Sequence, residues 1–285
     1  MKKVFVFVMG LAALLAVSCN NKDNSTDPVA PATQELAQVL KFSNPVQIGA
    51  YAFQSIELTE ASRYIAEYTE SKASAGASIL YGKYTYSNGT FNLDGLGSLK
   101  VDGNKVTINP SVAGGSAVEA QATVTHPSAK DQTALNACRN WTISKIIIGI
   151  SGKTKDGNTV AGDKMFNKLD FKEFADFAKR IGLEISDKDL EKITKYDVKE
   201  ICMTSAGSFV VDFSAANPFS GAFNLNGSNF TFTLSQDDFP VLSGGKISGT
   251  LSFSGNTCVI DAAASVVYND VPYSVTLVVS LTEVN

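Results

Sequence analysis

Among the side chains of this sequence that can perform acid–base chemistry, carboxylates are the most numerous. Three glutamates lie near one predicted hairpin and two aspartates precede Phe239, namely Glu57, Glu67 and Glu70, and Asp237 and Asp238. Glycoside hydrolysis needs two carboxylates at a controlled separation in a cleft, and spacing along strands does not establish that separation. We therefore interpret them as exposed charges on strands and loops, and we expect no catalytic residue among them.

His126 is the only histidine, and it stands before Pro127 in a predicted loop. A Ser-His-Asp triad would have to use this histidine, yet the chain has no Gly-x-Ser-x-Gly motif to present the serine. We interpret His126 as a solvated loop residue. Asp156-Gly157-Asn158 matches only a fragment of a calcium-binding loop, so no metal site is expected there.

Four tyrosines and one aspartate are the candidates for contact with a ligand or a partner. Tyr64 and Tyr68 share a face of one predicted strand, and Tyr84 and Tyr86 share a face of the next. If these tyrosine rings are exposed, they can stack on a sugar or contact a partner protein. The favoured alternative is that they pack into the core of the first β unit. Asp261 lies among apolar residues of a long predicted strand. It either faces solvent, which is favoured, or contacts a ligand.

The N-terminal end of the chain has the pattern of an export signal. Lys2 and Lys3 precede an apolar run over residues 4–18, which is too short to span a bilayer stably. The run ends at Cys19, and polar residues follow. A cysteine at this point resembles the lipobox of bacterial lipoproteins. The resemblance implies that residues 1–18 are a signal peptide and that Cys19 is diacylated. It also implies that the protein is an outer-membrane lipoprotein of the cell envelope, in either leaflet.

Composition argues against several other classes of function. The formal net charge is −4 and there is no basic patch, so a nucleic-acid partner is not expected. There is no CxxC motif or Cys/His cluster, so neither a structural metal nor another cofactor is expected. Cys138, Cys202 and Cys258 allow at most one disulfide, and the pattern favours Cys202 and Cys258 as small buried side chains.

The mature chain divides into a tether and two folded segments. Residues 19–32 lack apolar periodicity and are predicted to be a lipidated, flexible tether that reaches about 20 Å. Residues 33–128 are predicted to form an N-terminal β unit that begins with a short helix over 33–42. Residues 129–285 are predicted to form a C-terminal β unit with a helical insertion near 165–196, which contains a capping-box motif at Asp170 and a second helix from Ser186.

Two stretches of the sequence resemble each other. Both folded segments show apolar alternation with period two, interrupted by turn residues such as Asn88-Gly89. Residues 58–65 align with 203–210, and the hairpin that follows aligns Gly82, Asn88-Gly89 and 91–93 with Gly221, Asn226-Gly227 and 232–234. The chain is therefore predicted to be mainly β, with two related antiparallel meander units and a helical insertion.

About eight strands are predicted from Trp141 onward, which is enough to close an up-and-down barrel. The aromatic first strand Asn140-Trp141-Thr142-Ile143, followed by short strands with Gly-x-aromatic and Asn-Gly turns, resembles the lipocalin-like domains of uncharacterised lipoproteins in Bacteroidota. The resemblance covers most of residues 138–285 and, more weakly, 46–125. It implies a lipocalin-like (calycin) barrel, although the helical insertion could plug or cover a ligand cup. Whether the two units form one barrel or two stays open.

Three functional hypotheses follow. The leading one is a non-enzymatic lipoprotein, held to the membrane through acylated Cys19, that binds a small apolar or amphipathic ligand or a glycan at the barrel mouth. The alternative is a structural or interaction lipoprotein with solid barrels and an envelope protein as partner. A hydrolase is the third.

Overall fold

The three-dimensional structure is a computed structural model. It describes residues 36–70, 78–111, 116–129, 131–167, 171–183, 198–234, 246–268 and 270–284. The predicted signal, Cys19, the tether, Asp237 and Asp238, and the helix predicted from Ser186 lie outside the described residues.

Antiparallel strands make up most of the described chain. In the N-terminal half they are β1 Gln38–Ile48, β2 Tyr51–Leu58, β3 Arg63–Glu70, β4 Ser78–Ser87, β5 Thr90–Leu93, β6 Gly97–Asp102, β7 Lys105–Pro110 and β8 Val118–Thr125. In the C-terminal half they are β9 Asn140–Lys153, β10 Thr159–Phe166, β11 Val198–Met203, β12 Ser208–Phe213, β13 Phe219–Asn226, β14 Asn229–Thr233, β15 Lys246–Ser254, β16 Thr257–Tyr268 and β17 Val271–Glu283. The described helices are α1 Gln132–Ala137 and α2 Phe171–Arg180.

Strands β1–β8 form a closed barrel, in which each strand pairs with the next and β8 pairs with β1. Alternate side chains point inward and fill the interior; Leu40, Phe53, Ile56, Leu99 and Ile108 are fully buried. The compact unit that contains this barrel also includes Thr204–Ala206. Apolar side chains on one face of each strand therefore give this unit its own core.

The helix predicted over residues 33–42 is wrong from Gln38 onward, because β1 begins there. Leu36, Val39 and Leu40 have helical spacing, but Leu40 pairs with Ile56 of β2 on one side and with Val124 of β8 on the other. A short isolated helix is marginal in water, whereas pairing on both sides satisfies the backbone and buries Leu40 completely.

The second barrel contains β9 and β11–β17, and it closes where β17 pairs with β9. Strand β9 has two partners on its other side. Near its start, Trp141 lies opposite Ile201 of β11. Further along, residues 146–153 pair with β10. The second unit thus has a ring of eight strands with β10 added as a hairpin arm, and its core is separate from that of the first unit.

Helix α2 lies within the predicted helical insertion, and it packs into the second barrel's core. Phe174, Phe177 and Ala178 are buried there, and the Phe174 and Phe177 ring centroids lie 6.1 and 6.2 Å from that of Phe166 on β10. A salt bridge of 2.6 Å between Lys164 and Glu173 also links β10 to α2. The insertion contributes aromatic core residues to this barrel.

The two barrels share a cross-strand pair, which supports the predicted repeat. Tyr64 lies opposite Gly82 in the first barrel, and Phe209 lies opposite Gly221 in the second. Each ring covers its glycine so closely that an added Cβ would lie 2.7 Å from Tyr64 Cε1 or 2.6 Å from Phe209 Cε1. The absence of a Cβ makes room for an inward-facing ring at the same place in both units.

The hairpin that follows keeps this correspondence but corrects part of the alignment. Tyr86 pairs with Phe91, and Leu225 pairs with Phe230, so Phe91 corresponds to Phe230 and not to Phe232 as predicted. Asn88 and Gly89 both have positive φ, whereas the second turn begins one position later, with Gly227 at positive φ. The two turns are of different type and need different residues, so matching their Asn-Gly letters misplaces the next strand.

The Tyr64–Gly82 pair leads to a stability prediction. In Gly82→Ala the new Cβ would meet the Tyr64 ring, whose hydroxyl donates to the Asp94 carbonyl oxygen at 2.6 Å and restricts its movement. We expect the free energy of unfolding in urea to fall by about 1–3 kcal/mol. Thr85→Val, at an exposed position of the same strand, is the control and should change it by less than about 0.5 kcal/mol. Equal losses in the two variants would contradict the packing argument.

Candidate functional site

A depression of about 440 Å³ lies at one end of the first barrel. Strand β1 begins at this end and β8 ends there, and the turns β4–β5 and β6–β7 form part of its rim. We call this depression the barrel mouth. Its lining consists of four apolar side chains, three polar ones and the rim turns: Leu36, Phe91, Val101 and Val124; Gln38, Tyr86 and His126; and Gly89, Gly103 and Asn104.

The floor of the barrel mouth is apolar. Phe91 is buried, and Leu36, Val101 and Val124 are half-buried where they pack against the barrel core. The interior below these residues is filled by the core side chains. The mouth is therefore a cup at the end of the barrel, and a ligand in it would contact apolar side chains from four strands or strand ends.

Gln38 and His126 form a polar wall of the mouth. Val39 pairs with Thr125, so one further step in the register places Gln38 opposite His126 at the ends of β1 and β8. Gln38 is only 6% exposed, and its side-chain amide has no hydrogen bond to any part of the chain that the structure describes. The amide atoms are not among the fully buried side-chain atoms that lack a partner, so water in the mouth reaches them, and a ligand in the mouth could take the place of that water.

Tyr86 forms an aromatic wall of the same cup. It is 45% exposed, and its ring centroid lies 4.5 Å from that of buried Phe91, at an interplanar angle of 43°. The two residues are also cross-strand partners. Contact with a buried ring limits the movement of the Tyr86 ring and leaves the rest of its surface accessible to a ligand.

The other predicted tyrosines are core residues of the first barrel. The Tyr64 hydroxyl donates to the Asp94 carbonyl oxygen at 2.6 Å, and the Tyr84 hydroxyl donates to the Thr59 carbonyl oxygen at 2.7 Å. Tyr68 is also buried, and its ring lies 4.7 Å from that of Tyr51. Of the four tyrosines, the structure therefore places only Tyr86 at the mouth.

The predicted carboxylates that the structure describes lie on strands β2, β3 and β16 of the barrels. Asp261 is exposed on β16, where it lies opposite Thr250 and Val278. Glu67 accepts a hydrogen bond of 3.2 Å from Ser55. The expectation that Glu57 is an exposed strand charge is wrong, because it is only 8% exposed.

Sequence reasoning missed two residues of the mouth, Gln38 and His126. His126 is exposed, as expected, but it follows β8 directly and continues the inward positions Ala122 and Val124. Gln38 continues the inward position of Leu40 in the same way. In both cases the period-two alternation of the strand indicates an inward-facing position. Interpreting His126 as a loop residue and Gln38 as part of a helix over 33–42 misses this indication.

The three cysteines outside the N-terminal segment are not a reactive site. Cys138, Cys202 and Cys258 are buried and form no disulfide with one another, in keeping with the interpretation of Cys202 and Cys258 as small core side chains. Burial raises the pKa of Cys258 to about 12, which suppresses the nucleophilic thiolate. Among the described residues, no group of three or more His, Cys, Asp or Glu side chains is placed to hold a metal ion. Neither described helix is long and apolar enough to cross a membrane.

Comparison with known proteins gives little further information. No protein-family model and no curated protein match the sequence. A Bacteroides fragilis protein provisionally assigned to the outer membrane is 12% identical; the alignment covers 88% of this chain and 98% of that one, with a TM-score of 0.24. A single-site variant of transferrin binding protein B from Haemophilus parasuis is 8% identical over 78% of this chain and 51% of that one, with a TM-score of 0.23. A two-site variant of the same protein is 10% identical over 82% and 54%, with a TM-score of 0.24. Scores this low do not establish a common fold, and no property of these proteins is carried over.

The buried Tyr64 hydroxyl predicts a loss of stability at alkaline pH. Burial, and secondarily the charge of Asp94, raises the Tyr64 pKa from 10.0 to about 12. Between pH 10 and about pH 12 the unfolded chain therefore binds fewer protons than the folded chain. Stability should be fully present below pH 10 and fall as the pH rises toward 12. We expect the Tm of Tyr64→Phe to fall less steeply with pH than that of the wild type. Tyr86→Phe, at an exposed position, should follow the wild-type slope, and a wild-type slope in Tyr64→Phe would contradict the assignment.

Proposed function

We propose that the protein is a lipid-anchored, non-enzymatic binding protein of the cell envelope, and that it takes a small ligand at the mouth of the first barrel. The observation that supports this most directly is the mouth itself. Its volume of about 440 Å³ lies in the usual range of small-molecule sites, and a few polar groups stand above an apolar floor.

The corresponding end of the second barrel supports the assignment of binding to the first. Where β9 begins, Trp141 is buried, its Nε1 donates to the Ala137 carbonyl oxygen of α1 at 3.0 Å, and its ring lies 6.2 Å from that of Phe253. Arg139 and Glu283 form a salt bridge at the same end. These described side chains pack against one another at that end of the second barrel, whereas the mouth lies at the corresponding end of the first.

The chemistry of the lining supports binding without catalysis. His126 is an imidazole that could act as a general base, and among the described residues no serine, cysteine or carboxylate lines the mouth with it. Nucleophilic and glycosidic hydrolysis both need such a second group. The mouth can therefore orient a ligand through hydrogen bonds and apolar contact, but it lacks the pair of groups that hydrolysis requires.

The anchor rests on the sequence pattern that ends at Cys19. The chain enters the described structure at the mouth, because Leu36 lines it and β1 begins at Gln38. An acylated Cys19 would thus be connected to the end of the barrel that carries the mouth, and not to the opposite end. We propose the outer membrane as the site of attachment.

The anchor is tested by labelling producing cells with an alkyne analogue of palmitate. We expect Cys19→Ser to lose the label and to leave the membrane fraction, because the thiol that carries the acyl group is gone. Cys138→Ser removes another cysteine and should keep both the label and the membrane association. Labelling that persists in Cys19→Ser would refute the acylation site.

Binding at the mouth is tested by filling it. Val124 points into the cup, whereas its neighbour Thr125 is exposed on the outer face of the same strand. We expect a panel of N-phenyl-1-naphthylamine and neutral mono- and disaccharides to contain at least one saturable ligand, measured by calorimetry. Val124→Trp should weaken that ligand by about tenfold or more, and Thr125→Trp by less than about twofold, since only the first indole occupies the cup.

A panel without any saturable ligand would overturn this proposal. A structural or protein-interaction role would then be favoured, and the filled end of the second barrel already fits such a role for that unit. Equal effects of Val124→Trp and Thr125→Trp would instead place the ligand away from the mouth and would equally contradict the proposal.

A further inference from the structure

We infer that the ligand of the barrel mouth is a neutral saccharide whose ring stacks on Tyr86 and whose hydroxyl groups hydrogen-bond to Gln38 and His126. This inference rests on the proposed binding function and specifies its ligand class. Four properties of the mouth carry it: the unpartnered amide of Gln38, its neighbour His126, the absence of fixed charge in the lining, and the exposed ring of Tyr86.

The amide of Gln38 argues against a purely apolar ligand. Gln38 is 6% exposed, lines the mouth and has no side-chain hydrogen bond within the described chain. An acyl chain or another hydrocarbon in the cup would remove the remaining water from this amide and return no hydrogen bond, which is unfavourable. A ligand with hydroxyl groups can both accept from the amide nitrogen and donate to its oxygen.

His126 extends this hydrogen-bonding surface. The register of β1 and β8 puts it opposite Gln38, so two side chains that can each donate and accept stand side by side on one wall. Adjacent hydroxyls of a pyranose ring present the same mixture of donors and acceptors. Asn104 adds a second neutral amide, on the rim.

The charge of the lining argues against ionic ligands. Among the residues that the structure describes, those that line the mouth include no aspartate, glutamate, lysine or arginine. A fatty carboxylate or a phosphorylated headgroup would enter the cup without a fixed counter-charge, and partial burial of an unpaired ion is costly. A neutral saccharide has no such cost.

Tyr86 provides the surface on which a sugar ring can stack. Its ring is 45% exposed and contacts the buried Phe91 ring at a centroid distance of 4.5 Å. A pyranose has an apolar face of C–H groups, which packs well on an aromatic ring. The floor of Leu36, Val101 and Val124 provides further apolar contact on the remaining side of the cup.

The test compares variants of the full mature chain with Cys19→Ser, which leaves every described residue unchanged. Maltose, cellobiose, lactose and N,N′-diacetylchitobiose are titrated as neutral saccharides, and N-phenyl-1-naphthylamine as an apolar probe. We expect Gln38→Leu to weaken the bound saccharide by about tenfold, and to keep the Tm because the amide makes no hydrogen bond within the described chain. A merely structural Gln38 would instead give a lower Tm.

The aromatic wall is tested in parallel. Tyr86→Ala should weaken saccharide binding by about three- to tenfold, while Tyr86→Phe, which keeps the ring, should stay within about twofold. Gln121→Leu, at an exposed outward position of β8, and Tyr51→Ala, at the opposite end of the barrel, are the controls and should bind as the wild type does.

Three results would overturn the inference. Binding of the naphthylamine probe but of no saccharide, with loss of probe binding in Val124→Trp, would keep the proposed function and refute the saccharide. Saccharide binding that is insensitive to both Gln38→Leu and Tyr86→Ala would place the sugar elsewhere on the protein. Failure of both the saccharides and the probe would refute the proposed function together with this inference.

Discussion

Closure of each sheet upon itself is the constraint on which the rest of the structure depends. Pairing of β8 with β1, and of β17 with β9, turns two open meanders into barrels and satisfies the backbone groups that an edge would expose. Closure also gives every strand an inside and an outside. Each inward position must then be filled by a side chain or left as part of a cavity, so the residues at the barrel ends decide whether a cup exists.

The mouth exists because several strands extend beyond the packed interior. Toward the mouth, the packed core ends at Tyr84 on β4 and at Leu40 on β1. The next inward-facing residues on these strands are Tyr86 and Gln38, and both line the mouth. The second barrel has the same strand order, but there Trp141 and α1 fill the corresponding end. The two related units therefore differ in the residues at these ends and not in their strand order.

Local patterns in the sequence predicted the strands and the repeat, because alternation and turn residues act over a few positions. The mainly β fold, a helix within the predicted insertion, and the alignment of Gly82 with Gly221 follow from such patterns. The site did not, since the mouth joins the ends of β1, β4–β6 and β8, which are far apart in sequence. The helix predicted over 33–42 is wrong from Gln38 onward for a related reason: residues 38–42 are a strand because they pair with β2 and with the distant strand β8.

The contrast between the tyrosines and Gln38 shows why this amide points to a ligand. Tyr64 and Tyr84 are buried in the same barrel, and each hydroxyl donates to a backbone carbonyl oxygen. The fold can therefore satisfy polar groups inside this barrel when they serve packing alone. A leucine at position 38 would fill the same space, and the Gln38 amide makes no hydrogen bond within the described chain, so packing alone does not account for the glutamine. Departures from local consistency are expected at functional sites, where an external partner completes the hydrogen bonds that the chain leaves open.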